Sequence, residues 1–64
     1  MSKQRGMAMW QRWADEYGYG EDAYGMTEED LWDMAQTQIA SITEQGMSHA
    51  EFGITTEMIE WANR

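Results

Sequence analysis

Residues 27 to 45, TEEDLWDMAQTQIASITEQ, are the one stretch with both a helix start signal and a long apolar period, so the rest of the chain has to pack around a single central helix. Thr27 can accept hydrogen bonds from the free N–H groups of the first turn, and Glu28, Glu29 and Asp30 set negative charge at the positive end of the helix dipole. Leu31, Ala35, Ile39 and Ile42 recur at spacings of four, four and three, flanked by Trp32 and Met34. One apolar stripe therefore faces inward while Asp33, Gln36 and Thr37 face out. Gly46 follows at the position where a residue without Cβ can turn left-handed, which predicts that the helix stops there with Met47 folded back on Ile42.

The other elements must be small. A chain of 64 residues holds one domain, read here as 1–64, and folding hides only about 60% of the surface that the unfolded chain of this size exposes. With no Cys and one His, neither a disulfide framework nor a tetrahedral zinc staple is available, which leaves a dense aromatic core or self-association, as monomer or homodimer. Four Trp, three Tyr, one Phe and seven Met supply the large side chains, so folding is favoured over disorder. No stretch approaches the roughly 20 apolar residues that cross a bilayer, and the first residues lack the apolar run of a secretory signal. A cytoplasmic location is the expectation, in the host cell if a phage encodes the chain.

Taken in order, residues 1–6 are expected to fray, because Gly6 is a poor helix-interior residue. From Met7 to Tyr17, the positions Met9, Trp10, Trp13, Ala14 and Tyr17 share a face and Gln11, Arg12, Asp15 and Glu16 lie off it, which predicts an amphipathic helix ended by Gly18. Trp10 and Trp13 are read as core, and Arg12 can pair with Glu16 one turn on. Tyr17 to Met26, YGYGEDAYGM, alternates Tyr and Gly around Glu21 and Asp22 and reads as a loop, either a recognition loop or a cover for the helix ends. Ser48 and Glu51 fit a capping box, with Met47 stapled to Phe52, and Thr55 fits an N-cap for a last helix from 55 to 63, with Met58, Ile59 and Trp61 or Ala62 inward and Arg64 at its dipole-negative end. Strand patterns are absent. The expected fold is all-α: a small three-helix bundle with an additional short helical turn.

Charge separates the function classes. The basic residues are Lys3, Arg5, Arg12 and Arg64, so no Lys or Arg falls between Trp13 and Asn63, where all 12 carboxylates lie, for a net charge of −8. Such a one-sign field repels nucleic acid and anionic membranes and attracts basic protein surfaces. The Gly-rich loop lacks GxxxxGK[ST], and its acids would repel phosphate. Glu28, Glu29, Asp30 and Asp33 do not follow the alternation of a calcium loop, and no Glu-x-x-His pair suits a di-iron bundle. Ser48, His49 and Glu51 are triad residue types on one short turn, pointing in different directions. No catalytic, cofactor-binding or metal site is expected, and no cofactor.

Residues 53–61, GITTEMIEW, resemble the turn and start of the recognition helix in helix-turn-helix regulators, where a Gly-apolar-Ser/Thr turn precedes an apolar residue and often a Trp. The resemblance implies DNA reading, yet the face that would meet DNA carries Glu57 and Glu60, and a DNA reader needs cations against phosphates. The remaining expectation is a non-enzymatic binder of the basic surface of a nucleic-acid-binding protein. In size and charge the chain looks like the inhibitors that phages raise against host defence, anti-CRISPR and anti-restriction proteins among them. The expected contact residues are Asp15, Glu16, Glu21, Asp22, Glu28, Glu29, Asp30 and Asp33, with Tyr19 and Tyr24 as aromatic anchors. The alternatives are an interaction module using exposed Met and Trp, and an ordinary small protein adapted to high salt.

Overall fold

The computed structural model describes residues 3–63, and among them three α-helices and no strand are found. The central helix, α2, runs Glu28–Glu44. It begins where Thr27 Oγ1 accepts from the Asp30 N–H at 3.1 Å, so the cap read from sequence is formed. It ends in a Schellman motif: the Gly46 N–H donates to the Thr43 carbonyl at 3.0 Å and the Met47 N–H to the Ile42 carbonyl at 3.1 Å. Leu31, Met34, Ala35 and Ile42 are its buried residues. Met34, expected on the flank, is in the core, and Ile39 and Trp32 are only partly buried against it.

Helix α1 spans Lys3–Ala14 and buries Gly6, Trp10, Trp13 and Ala14. Residues 3–6 are thus helical rather than frayed, which corrects the expectation; residues 1–2 lie outside the described residues. The reason is tertiary. Gly6 lies against the indole of Trp61, so closely that a Cβ there would sit 2.6 Å from Trp61 Nε1 and nearer still to Cδ1 and Cγ. At this position the missing side chain lets α1 and the last helix touch, and that contact outweighs the helix penalty of glycine. At the other end the α-helix stops at Ala14 rather than Tyr17: Asp15–Tyr19 form a π-helical turn in which Tyr17 leaves helical geometry (φ −107°, ψ 16°) and Gly18 takes φ 139°. A side chain at Gly18 would be strained there, so glycine sets where the chain turns away.

The expected loop 17–26 is irregular at Tyr17, Gly18 and Gly20 (φ 61°, ψ −146°) and helical only between these and Met26. After the π turn, Gly20–Gly25 make a 3-10 run whose Ala23 is fully buried. A second 3-10 turn, His49–Phe52, leads to α3, Thr56–Ala62. Ser48 makes no side-chain cap; its carbonyl accepts from the Glu51 N–H at 3.2 Å, so the expected capping box gives way to a four-residue turn whose own backbone satisfies that donor. Thr55 does cap α3, its Oγ1 accepting from the Met58 N–H at 3.3 Å, and the Thr55 N–H points at Met58 Sδ at 3.4 Å. Met58, Trp61 and Ala62 are buried and Ile59 partly so. Arg64 lies outside the described residues.

Two indole N–H groups fasten α1 to the C-terminal third. Trp10 Nε1 donates to the Met58 carbonyl at 3.0 Å and Trp13 Nε1 to the Phe52 carbonyl at 2.7 Å. Burying these indoles is tolerable because each polar atom finds an acceptor. Trp10 and Trp13 are core residues, as expected, at 0% and 6% exposure, and they meet edge to face with centroids 5.5 Å apart. Across the bundle, Gln36 Nε2 donates to the Ala62 carbonyl at 3.1 Å and satisfies a carbonyl in the last turn of α3.

Candidate functional site

The exposed aromatic residues gather on the segment between α1 and α2. Tyr17, Tyr19 and Tyr24 are 46%, 44% and 54% exposed. They stand out because the backbone between them is pinned at Ala23, which carries no exposed surface and holds the 3-10 run against the core. Tyr19 and Tyr24 were expected as anchors; Tyr17 was expected in the core and lies instead on the surface, stacked on Trp13 at 4.8 Å with ring planes 13° apart. Fixed aromatic surface of this kind suits recognition, since a Tyr gives large contact area for few torsions.

The Tyr24 hydroxyl donates to Asp15 Oδ2 at 3.0 Å. That hydrogen bond, reinforced by the negative charge of Asp15, holds the phenol above its ordinary value of 10.0. The bond also spends one Asp15 oxygen inside the protein. Glu16 is paired with Arg12 at 3.7 Å, as the sequence spacing allowed, and Glu28 with Lys3 at 3.1 Å. Three of the eight expected contact carboxylates thus have internal partners. The other five, Glu21, Asp22, Glu29, Asp30 and Asp33, are exposed and form no ion pair among the described residues. Glu29 and Asp33 stand one turn apart on the face of α2 opposite Leu31 and Ala35, and Glu21 and Asp22 lead the 3-10 run beside Tyr24.

His49 does not face Ser48. Its Nε2 lies 3.1 Å from Thr43 Oγ1 and 3.2 Å from the Ile39 carbonyl, while Thr43 Oγ1 donates to that same carbonyl at 2.9 Å. A carbonyl only accepts and the Thr43 proton is already directed to it, so Nε2 is the protonated nitrogen of this ring. The imidazole fastens the 49–52 turn to α2. Among the described residues no group of three His, Asp or Glu is placed to hold a metal ion, and no helix is long and apolar enough to cross a membrane. The segment that resembles a recognition helix follows a 3-10 turn of four residues, has Trp61 buried, and has Glu57 paired with Arg5 at 3.0 Å.

Two clefts flank Trp13, and neither was expected from the sequence. One, of 310 Å³, is lined by Met9, Arg12, Trp13, Glu16, Gly53, Thr55 and Met58. The other, of 230 Å³, lies between the Trp13–Tyr17 stack and the C-terminal half of α2, with Gln38, Ser41, Ile42, Gln45 and Phe52 completing it. A signal for the second was present: Gln38, Ser41 and Gln45 continue the inward spacing of Leu31 and Met34 with polar residues, where a helix fully covered by core would carry apolar ones. No protein-family model matches the chain, and comparison with curated proteins and with solved structures likewise yields no match.

Proposed function

We propose that this chain is a non-enzymatic protein binder whose acidic surface occupies the basic, nucleic-acid-binding surface of another protein, as a phage inhibitor of the anti-CRISPR or anti-restriction type would. The observation behind this reading is the partition of charge. Lys3, Arg5 and Arg12 all belong to α1, and each is engaged with a carboxylate, Glu28, Glu57 and Glu16 respectively. Glu21, Asp22, Glu29, Asp30 and Asp33 are left as exposed negative charge with no cation within ion-pair distance among the described residues. Exposed acids on short helical elements can stand in for duplex phosphates, which present one charge per about 1.7 Å of axis. Tyr19 and Tyr24, both exposed, add aromatic contact area.

Apolar contacts support a second reading, that of a regulatory interaction module. Its affinity would come from Tyr17 and Met47, which are 46% and 42% exposed, and among the Trp residues only from the partly buried Trp32, because Trp10, Trp13 and Trp61 are core. Salt separates the two. Captured from lysate of the native host at moderate salt, the partner of an acidic decoy is a nucleic-acid-binding protein, is released by duplex DNA, and binds more weakly as salt rises. Joint replacement Glu21→Gln, Asp22→Asn, Glu29→Gln, Asp30→Asn and Asp33→Asn should slow its association by about 10- to 1,000-fold. A partner that duplex DNA leaves in place and whose affinity is flat in salt excludes the decoy and favours the apolar module.

A further inference from the structure

The cleft between the Trp13–Tyr17 stack and α2 differs from the rest of this surface. In a chain of net charge −8, no carboxylate and no cation lines it. The face that α2 turns to it belongs, by helical spacing, to the core side: Leu31, Met34 and Ala35 are buried, and the same stripe then continues as Gln38, Ser41 and Gln45. Among the described residues nothing hydrogen-bonds the two amides or the Ser41 hydroxyl. The opposite wall is rigid. Trp13 is held by its bond to the Phe52 carbonyl at 2.7 Å, and Tyr17 lies flat on it at 4.8 Å.

We infer that this cleft is an anchor pocket that takes one aromatic side chain with a hydrogen-bonding edge, Trp or Tyr, from a segment of the partner whose flanking residues are basic. The inference rests on the reading of the chain as an acidic protein binder. At 230 Å³ the space falls below the roughly 300–1,000 Å³ of drug-sized sites and matches a single large side chain. A cation placed in it would lose water without gaining a carboxylate, and an anion would face the field of the whole molecule. A neutral ring stacks against fixed aromatic and apolar walls, and its N–H or O–H finds the Gln38 and Gln45 amides. Along the chain Glu44 stands between the lining residues Ile42 and Gln45, Glu51 directly precedes the lining residue Phe52, and both are exposed, so cations flanking the ring meet opposite charge. A rigid pocket for one aromatic anchor, ringed by polar contacts, is the arrangement in which a few residues carry most of an interface's affinity.

The test is a titration of the full-length, ¹⁵N-labelled chain with a short peptide carrying one Trp between pairs of Lys, followed by amide, Gln side-chain and indole N–H resonances. Saturating shifts of the Gln38 and Gln45 side-chain amides and the Trp13 indole are expected at peptide concentrations up to about 1 mM. Changing the peptide's Trp to Ala should weaken binding by about tenfold or more, as should Gln38→Ala with Gln45→Ala in a chain whose circular dichroism is unaltered. Equal binding of the Ala peptide overturns the pocket and leaves the acidic reading standing. Equal binding of a peptide with Gln in place of Lys does the reverse: the pocket stands and the acidic reading falls. Absence of any shift at about 1 mM, or shifts confined to residues away from the cleft, also overturns the pocket.

Discussion

Replacing Gly6 by Ala sets two effects of opposite sign on one residue. Within a helix, Ala is favoured over Gly by about 0.8–1.0 kcal/mol, so an uncovered Gly6 would make the variant more stable. The structure reverses that sign. A Cβ on Gly6 would lie 2.6 Å from Trp61 Nε1, whereas unstrained carbon contacts lie at about 3.5–4.0 Å, so α1 and α3 must separate by roughly 1 Å or the indole must leave its place. Trp61 is 3% exposed, and rotating it outward would surrender most of its buried area. Overpacking of this kind costs about 1–3 kcal/mol, and a rigid ring flanked by a helix backbone belongs at the upper end. Setting about 3 kcal/mol against about 1 leaves a net loss of about 2 kcal/mol. For a domain of this size each kcal/mol is worth about 4–8 °C, so Tm should fall by about 8–16 °C. Thermal and urea unfolding followed by far-ultraviolet circular dichroism measures it. Ala8→Gly, at an exposed position of the same helix, should cost only about 1 kcal/mol and calibrates the propensity effect. Combining Gly6→Ala with Trp61→Phe should give a loss smaller than the sum of the two, because the smaller ring relieves the crowding. A Gly6→Ala protein as stable as the parent, or more so, would show that α1 and α3 do not approach as described.

Three further outcomes follow from other contacts. Thr55→Ala removes the acceptor for the Met58 N–H and should cost about 1 kcal/mol by urea unfolding, with little change if α3 were capped by its backbone alone. Trp10→Phe removes the indole donor that the Met58 carbonyl accepts at 3.0 Å; the lost bond and the smaller ring together should cost about 2 kcal/mol, a large share of the roughly 3–10 kcal/mol total expected at this length. Tyr24 should titrate above 10.0, and Asp15→Asn should return it toward that value. Because the folded phenol holds its proton more tightly than the unfolded one, this contribution is present below pH 10.0 and is lost as pH rises through the raised folded value. The ultraviolet titration difference between the parent and Tyr24→Phe reads it, and an unshifted curve would remove the Asp15 bond.

What the sequence disclosed were the features whose cause is local. The Thr27 and Thr55 caps and the Gly46 stop each depend on residues within one turn, so each was legible and is formed. The hidden features have partners far along the chain. Gly6 looks like a helix breaker until Trp61 is placed beside it, and the Arg5–Glu57 contact joins residues 52 apart. Ser48 shows the converse error, a correct local pattern defeated because a four-residue 3-10 turn satisfies Glu51 by backbone alone. At the candidate site, the exposure of Tyr19 and Tyr24 was foreseeable from the glycines around them. Tyr17 was assigned to the wrong side because helical periodicity was extended past Ala14, where the helix gives way to the π turn.

The distribution of cations ties the fold to the proposed surface. Glu28 lies in the first turn of α2 and Glu57 in the first turn of α3, where each carboxylate already complements its helix dipole. Lys3 and Arg5, two residues apart near the start of α1, reach these two carboxylates at 3.1 Å and 3.0 Å and so tie α1 to both other helices. Exposed pairs of this kind contribute little stability, about 0–1 kcal/mol each, and are screened by salt. Their larger effect is on the field outside. Cations bound to carboxylates at the junction of the helices cancel charge where it is local, and the acids beyond their reach, on the outer face of α2 and on the 20–25 turn, keep theirs. Reversing one internal pair, Lys3→Glu with Glu28→Lys, should therefore leave both stability and partner affinity nearly unchanged, whereas placing a Lys at Asp33 should weaken the partner without unfolding the chain. If the exchange, which leaves the net charge at −8, weakened binding as much as the Lys at position 33, the acids beyond the reach of the cations would not be the ones the partner reads.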